Sequence, residues 1–340
     1  MRCFFAPETD AHDPRFYLVR GQVAANKELP QRAALLIEGL AQAGMTTEAP
    51  AHFPEAALSA IHSDRYLDFL RHAHAEWQAL PDQGAEVVAN VHPAGPVRAY
   101  PKGIVGRAGW HMADAACPMG PHSWAAARRS ADTALAAAQA VVDGARAAYA
   151  LCRPPGHHAL AEVAGGHCLL NNAAIAAQHL RRHHDRVAVL DIDVHHGNGT
   201  QGIFWTRGDV LTVSVHAETS AYYPFFTGYA DETGEGDGKG ANLNIPLPRD
   251  ETDDAWCAAI ETALARIAAF NPGALVLSLG LDAHEADPLR GLAVTTPAFG
   301  TAARLIAGAN LPTAIVQEGG YLSRHLSANL SAFMIGWNSH

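Results

Sequence analysis

Val187-Ala188-Val189-Leu190-Asp191-Ile192-Asp193-Val194-His195-His196-Gly197-Asn198 is the stretch from which the fold is read. Residues 187–190 are apolar without alternation, as in a strand buried between two helical layers. Acids and an imidazole then take alternate positions. In an extended chain, residues 191, 193 and 195 point the same way. Asp193 and His195 would reach one ion, with Asp191 deeper and free to serve beneath them. A third ligand has to come from another strand. The run 274–279 is equally apolar and ends in Gly280-Leu281-Asp282, which brings Asp282 to the same edge. In open parallel sheets, ligands bind beyond the carboxyl ends of the strands. An Asp/His/Asp set with open positions suits a catalytic Zn²⁺, and Fe²⁺ accepts similar ligands.

Two further motifs reach that edge. Arg153-Pro154-Pro155-Gly156-His157-His158 follows the apolar run 147–152 through a stiff turn. Adjacent imidazoles hold different protonation states when their partners differ. Asp191 would partner one and Asn198 the other. The histidine with a carboxylate stays cationic, whereas the one with an amide deprotonates more readily and suits a general base. The pair His183-His184 lies in a polar helix end and is read as surface. Gln317-Glu318-Gly319-Gly320-Tyr321 follows the apolar run 313–316, so Tyr321 also lies at the edge, where its hydroxyl would donate to a developing oxyanion. The combination is the equipment of a metal-assisted hydrolase.

Around these motifs, short apolar runs (2–6, 147–152, 187–190, 210–215, 274–279, 313–317) alternate with helical ones (30–43, 64–79, 124–140, 171–182, 253–270, 297–308, 322–335). That order predicts an α/β fold with a parallel sheet covered on both faces. Hydrophobic residues make up 49% and charged residues 17%, enough for a large core and against global disorder. The net charge of −10 and the lack of a basic cluster argue against nucleic acid, and the acidic field attracts cationic small molecules. No window is long enough to span a bilayer, and the start lacks the apolar stretch of a signal peptide. Five scattered cysteines without a CxxC fit a reducing compartment, so a cytoplasmic location is expected. Two irregular segments remain. One, at 81–122, carries Pro93, Pro96, Pro101, Pro118 and Pro121. The other, at 218–240, runs from Tyr222-Tyr223-Pro224-Phe225-Phe226 into an acidic, glycine-rich stretch. Loops this long in a compact domain are functional or interfacial, and both read as walls of a substrate site.

RPPGHHA (153–159), GGHCLLNNAAIAA (165–177), DIDVHHGNGTQ (191–201), LTVSVH (211–216), LGLDAHEADPL (279–289) and EGGY (318–321) occur in one order along nearly the whole chain. Together they resemble the metal-dependent deacetylase family, which includes histone deacetylases and bacterial acetylpolyamine amidohydrolases. The resemblance implies an arginase/deacetylase-like three-layer fold with a central, mainly parallel eight-stranded sheet, as a single deacetylase domain over 1–340. It implies Zn²⁺ at Asp193, His195 and Asp282, His157 and His158 as the tandem histidines with His158 the main base and acid, and Tyr321 polarising the amide. Gly166 would meet the substrate amide through its backbone. A structural K⁺ would be held, partly by backbone, at Asp191, Asp193, His195, Ser214 and Val215. Asn198 stands where some relatives have Asp.

Within that family the polyamine branch is the nearer likeness, on 1–5, on Glu28-x-Pro30-x-Arg32, on the insertion and on 228–234. The branch implies a homodimer in which 81–122 forms the entrance and dimer contact. It also implies a slender acetylated amine as substrate, deacetylated to acetate and free amine. His167 and Tyr223 match tunnel-wall positions often filled by Tyr and Phe, and Asp114 is the candidate contact for a distal ammonium. The competing expectations are a protein acetyl-lysine deacetylase or broad amidase, and, in another class, a catalytically silent acyl-ligand binding module.

Overall fold

The computed structural model describes residues 1–95 and 99–339. Pro96, counted above among the prolines of the insertion, lies outside the described residues. The strands are β1 (Arg2–Phe4), β2 (Phe16–Val19), β3 (Gln22–Ala25), β4 (Thr47–Glu48), β5 (Ala147–Ala150), β6 (Val187–Asp191), β7 (Val210–Ala217), β8 (Asn242–Leu247), β9 (Ala274–Leu279) and β10 (Thr313–Gln317). Eight of them form one sheet in the order β4-β1-β5-β10-β9-β6-β7-β8, every neighbouring pair parallel. Strands β2 and β3 pair separately as an antiparallel hairpin.

The helices are α1 (Gln31–Gln42), α2 (Ala56–Ser59), α3 (Asp64–Gln78), α4 (Ile104–His111), α5 (Ser123–Val142), α6 (Asn172–Leu180), α7 (Asn198–Phe204), α8 (Asp253–Phe270), α9 (Thr296–Gly308) and α10 (Leu326–Asn338). Side chains alternate across a strand, and the sheet uses both faces. Val187 and Val189 of β6, with Ala274 and Val276 of β9, join α3, α5 and α6 in one apolar layer. Ala188, Leu190, Leu275 and Leu277 join α1, α8, α9 and α10 in the other. Each fully buried Val or Leu stabilises this arrangement by roughly 1.5–3 kcal/mol. The absence of polar alternation in these runs therefore follows from the two helical layers.

The sequence reading and the structure part company at the margins. Strand β8 interleaves Asn242 and Asn244 with apolar residues and contains Pro246, so it lacks the continuous apolar signature of its neighbours. Proline is tolerated there because β8 ends the strand order. The insertion at 81–122, expected as loop, contains α4 and a bridge between Val87 and Met119. The last helix begins at Leu326 rather than 322, and Leu322 is exposed. Among the described residues, no helix is long and apolar enough to cross a membrane.

Candidate active site

The chemistry-bearing residues all follow the carboxyl ends of β5, β6, β9 and β10. Asp193 Oδ1 and Asp282 Oδ2 each lie 3.1 Å from His195 Nδ1. One ring nitrogen carries a single proton or lone pair and serves two carboxylates poorly. Two buried carboxylates this close also repel each other unless a cation lies between them. Ligand atoms of all three residues fall within 4.8 Å of one another, and all three are buried. The donor set therefore fits a divalent ion. Its outer support is complete. Gly319 N–H donates to Asp193 Oδ2 (2.8 Å), and Val194 N–H donates to Asp282 Oδ1 (3.1 Å). A methyl at Gly319 would overlap the Oδ2 atoms of both aspartates, so only glycine lets the backbone close over them. His195 Nε2 meets the Tyr222 hydroxyl at 2.9 Å, and the two rings stack. That bond turns Nδ1 toward the acids.

The tandem histidines have different partners. His157 Nδ1 lies 2.9 Å from Asp191 Oδ2, and His158 Nδ1 lies 2.7 Å from Asn198 Oδ1. Burial opposes a charge on His157, but Asp191 and Asp193 outweigh it and raise its pKa to about 10. His158 moves the other way, held well below the ordinary histidine value by burial and by the neighbouring His157 and His195. The Asn198 acceptor puts the proton on Nδ1, so the free Nε2 carries the lone pair. Glu318 anchors the turn from below, its Oε2 accepting from the N–H groups of Gly156 (2.7 Å) and His157 (3.1 Å).

Tyr321 is braced by a residue 289 positions away in sequence. The Arg32 guanidinium lies over the Tyr321 ring, 4.8 Å from its centroid. It also donates to the carbonyls of Gly320 and Glu318, both at 2.6 Å, and to Glu28 Oε1 at 2.7 Å. Arg153 completes the cluster 3.0 Å from Glu28 Oε2. Burial works against the Glu28 charge, but Arg153 and Arg32 outweigh it and pull its pKa down to about 2. Burial pushes the Tyr321 phenol well above its ordinary value, so it stays a donor.

Gly166, His167, Tyr223 and Asp114 lie around His158 and Tyr321. The Tyr223 ring stands edge-on to His158, with centroids 4.8 Å apart at 90°. Gly166 has a φ of +52°, and a methyl there would overlap the His158 ring. His167 is buried with a φ of +70°, its ring 5.8 Å from Tyr321, and burial lowers its pKa to about 4. Asp114, half-buried in the insertion just past α4, accepts from Ala116 N–H on Oδ1 (2.8 Å). Its Oδ2 accepts from Gly166 N–H (3.1 Å) and from the Tyr223 hydroxyl (2.7 Å). Asp191 faces Ser214 in the register of β6 and β7, with Val215 next along β7, while Asp193 and His195, also named for K⁺, follow beyond the end of β6. In the acidic loop, Glu232 is a clasp: its Oε2 accepts from Gln201, Gly228 N–H and Asn244.

Sequence reasoning singled out neither Tyr222 nor Glu318 as site residues, and gave Glu28 and Arg32 no role in the site. The signal for Glu28 and Arg32 was their i, i+4 spacing, which usually marks an exposed helix pair. Here both are buried.

The histone deacetylase domain family matches residues 26–336. The acetylpolyamine amidohydrolase of Burkholderia pseudomallei (strain 1710b) is 47% identical over 340 residues, 100% of this chain and 99% of that protein. Acetylpolyamine amidohydrolase 1 of Pseudomonas aeruginosa is 39% identical over 342 residues, 99% of each. A crystal structure of an acetylpolyamine aminohydrolase from Burkholderia pseudomallei superposes with a TM-score of 0.97 at 47% identity, covering 100% of this chain and 99% of that one.

Proposed function

The chain belongs to the histone deacetylase domain family, and from that premise we propose that it is a metal-dependent amidohydrolase acting on N-acetylated polyamines or similar small linear amines, giving acetate and the free amine. The observation that carries this reading is likeness over the whole chain, insertion included, to proteins named for that activity.

Asp193, His195 and Asp282 would hold the catalytic ion, for which Zn²⁺ is the proposal and Fe²⁺ the substitute with similar ligands. Such an ion supplies Lewis acidity and a water of lowered pKa. His158 Nε2 takes the proton of the attacking water and returns it to the departing nitrogen, so the amine leaves neutral. Its amide partner Asn198 fixes the tautomer without adding negative charge. Tyr321 donates its hydroxyl to the acyl oxygen as negative charge develops there. The Gly166 backbone receives the substrate amide, and Tyr223 and His167 confine the aliphatic chain. Asp191, Asp193, His195, Ser214 and Val215 are the proposed K⁺ site beneath. The free cysteines and the lack of a membrane-spanning helix among the described residues support a cytoplasmic location. A homodimer narrowed by 81–122 is the proposed assembly.

The test is a substrate screen with the metal-loaded protein. Acetylputrescine, acetylcadaverine and acetylspermidine are compared with an acetyl-lysine peptide. Turnover that favours the small acetylated amines is expected. Equal or better peptide turnover would overturn the polyamine assignment, and no turnover of any amide with metal bound would make the chain a binding module.

A further inference from the structure

Three segments distant in sequence meet at one carboxylate. Asp114 lies in the insertion, just past α4. Its neighbour Ala113 donates its N–H to Ala164 O (2.8 Å), and Ala164 donates to His111 O (2.7 Å), so the insertion lies along the turn that carries Gly165 and Gly166. The Asp114 side chain closes the contact by accepting from Gly166 N–H and from the Tyr223 hydroxyl. Both donors touch the proposed base: Gly166 has no room for a methyl because of the His158 ring, and Tyr223 stands edge-on to the same ring. Gly165 is part of the fit, since a Cβ there would sit 3.2 Å from Asp114 Oδ2 and 3.4 Å from the Tyr223 hydroxyl.

We infer that Asp114 is a positioning residue that sets the width of the tunnel through Tyr223 and Gly166, and so couples the insertion to the choice of slender over bulky substrates. This rests on the deacetylase reading above. One carboxylate ties two adjoining surfaces beside His158, since a Cβ on Gly166 would lie only 2.9 Å from the Tyr223 hydroxyl. Without it, the phenol and the Gly166 N–H each lose a charge-assisted bond, and the loop that carries Tyr223 is free to swing outward. Slender amines then lose their close fit, while a peptide-borne acetyl-lysine loses little. The role acts through geometry and differs from a direct contact between Asp114 and a substrate ammonium.

The test is a double-mutant cycle on the full-length, metal-loaded enzyme with Asp114→Ala, Tyr223→Phe and the pair. The readout is the ratio of kcat/KM for acetylputrescine to that for an acetyl-lysine peptide. Losing a hydrogen bond of this kind is expected to lower the ratio by about tenfold in either single variant, with the double variant no worse than the lower single. A fall in both substrates together, leaving the ratio unchanged, would overturn the inference in favour of a merely structural role. An unchanged ratio in Tyr223→Phe beside a raised amine KM in Asp114→Ala would overturn it in favour of direct ammonium contact. Hydrogen exchange of the substrate-free protein supplies an arm independent of turnover. Both single variants should exchange faster at 164–168 and 222–226, and unchanged exchange overturns the positioning role of Asp114. A wild-type enzyme inactive on every amide would instead sink the deacetylase reading.

Discussion

His158 Nδ1 rests 2.7 Å from Asn198 Oδ1, whereas its neighbour His157 meets the carboxylate of Asp191. Despite its burial, His157 is held cationic by Asp191 and Asp193, while burial and the neighbouring His157 and His195 hold His158 neutral, with an amide partner that adds no negative charge. Asn198→Asp should raise the His158 pKa by adding negative charge beside Nδ1. A base works while unprotonated, so the acid limb of kcat/KM against pH should move to higher pH. Asn198→Ala should lower kcat by about tenfold or more through loss of the fixed tautomer. An acid limb that stays in place in Asn198→Asp would remove Asn198 from this role.

The Tyr321 hydroxyl has a narrower task. Tyr321→Phe keeps the ring under Arg32 and removes only the donor. It should retain full metal content by elemental analysis and lose about 10²–10³ in kcat, the effect of one oxyanion donor. Turnover within a few-fold of wild type would assign the oxyanion to another group.

Gly319 tests the metal cradle without replacing a ligand. In Gly319→Ala the new methyl meets Oδ2 of both Asp193 and Asp282, and the Gly319 N–H to Asp193 bond is displaced. Loss of such support lowers metal affinity by about 10–100-fold. Competition against a chromogenic chelator measures it directly, and wild-type affinity would show that the cradle yields.

His62 gives the protein a pH-dependent stability away from the site. Its Nδ1 faces Ala161 O at 3.3 Å and its Nε2 accepts from Asn171 N–H at 2.9 Å, so the buried ring is neutral with both nitrogens in use. Burial lowers its pKa from 6.5 to about 4. The unfolded chain binds this proton more tightly than the folded one. The contribution is therefore present in full above pH 6.5 and lost as pH falls toward 4, by about 2–3 kcal/mol. Urea unfolding at stepped pH should show that decline, and His62→Gln should flatten part of it. An unaltered slope in the variant would assign the decline to other groups.

How much of this was legible in the sequence depended on where a residue's partner lay. Strands β6, β9 and β10 announced themselves because both faces are apolar, and that placed Asp193, His195 and Asp282 at one edge of the sheet, where they converge. The alternation expected for 191, 193 and 195 does not persist, because β6 ends at Asp191 and 193–195 lie in bends. Asp191 and Asn198 were legible as the partners of the tandem histidines, but not which histidine takes which, because only the turn into α7 decides between them. Glu28, Arg32, Arg153 and Glu318 escaped for a different reason. Periodicity reads charge as exposure, yet all four are buried: Glu28 pairs with Arg32 and Arg153, and Glu318 Oε2 accepts from backbone N–H groups. Strand β8 was hidden by Asn242 and Asn244, whose side chains turn to Gln201 and Glu232 instead of solvent. Tyr222 sits in an irregular loop, and no local pattern tells that its hydroxyl meets His195.

The sheet sends alternate side chains into two helical layers and leaves its carboxyl rim to the loops. Foundation and workshop are thus built from different parts of the chain. Mutations that retune appetite at the rim need not disturb the masonry beneath, so a scaffold of this kind is free to change its diet while keeping its melting point.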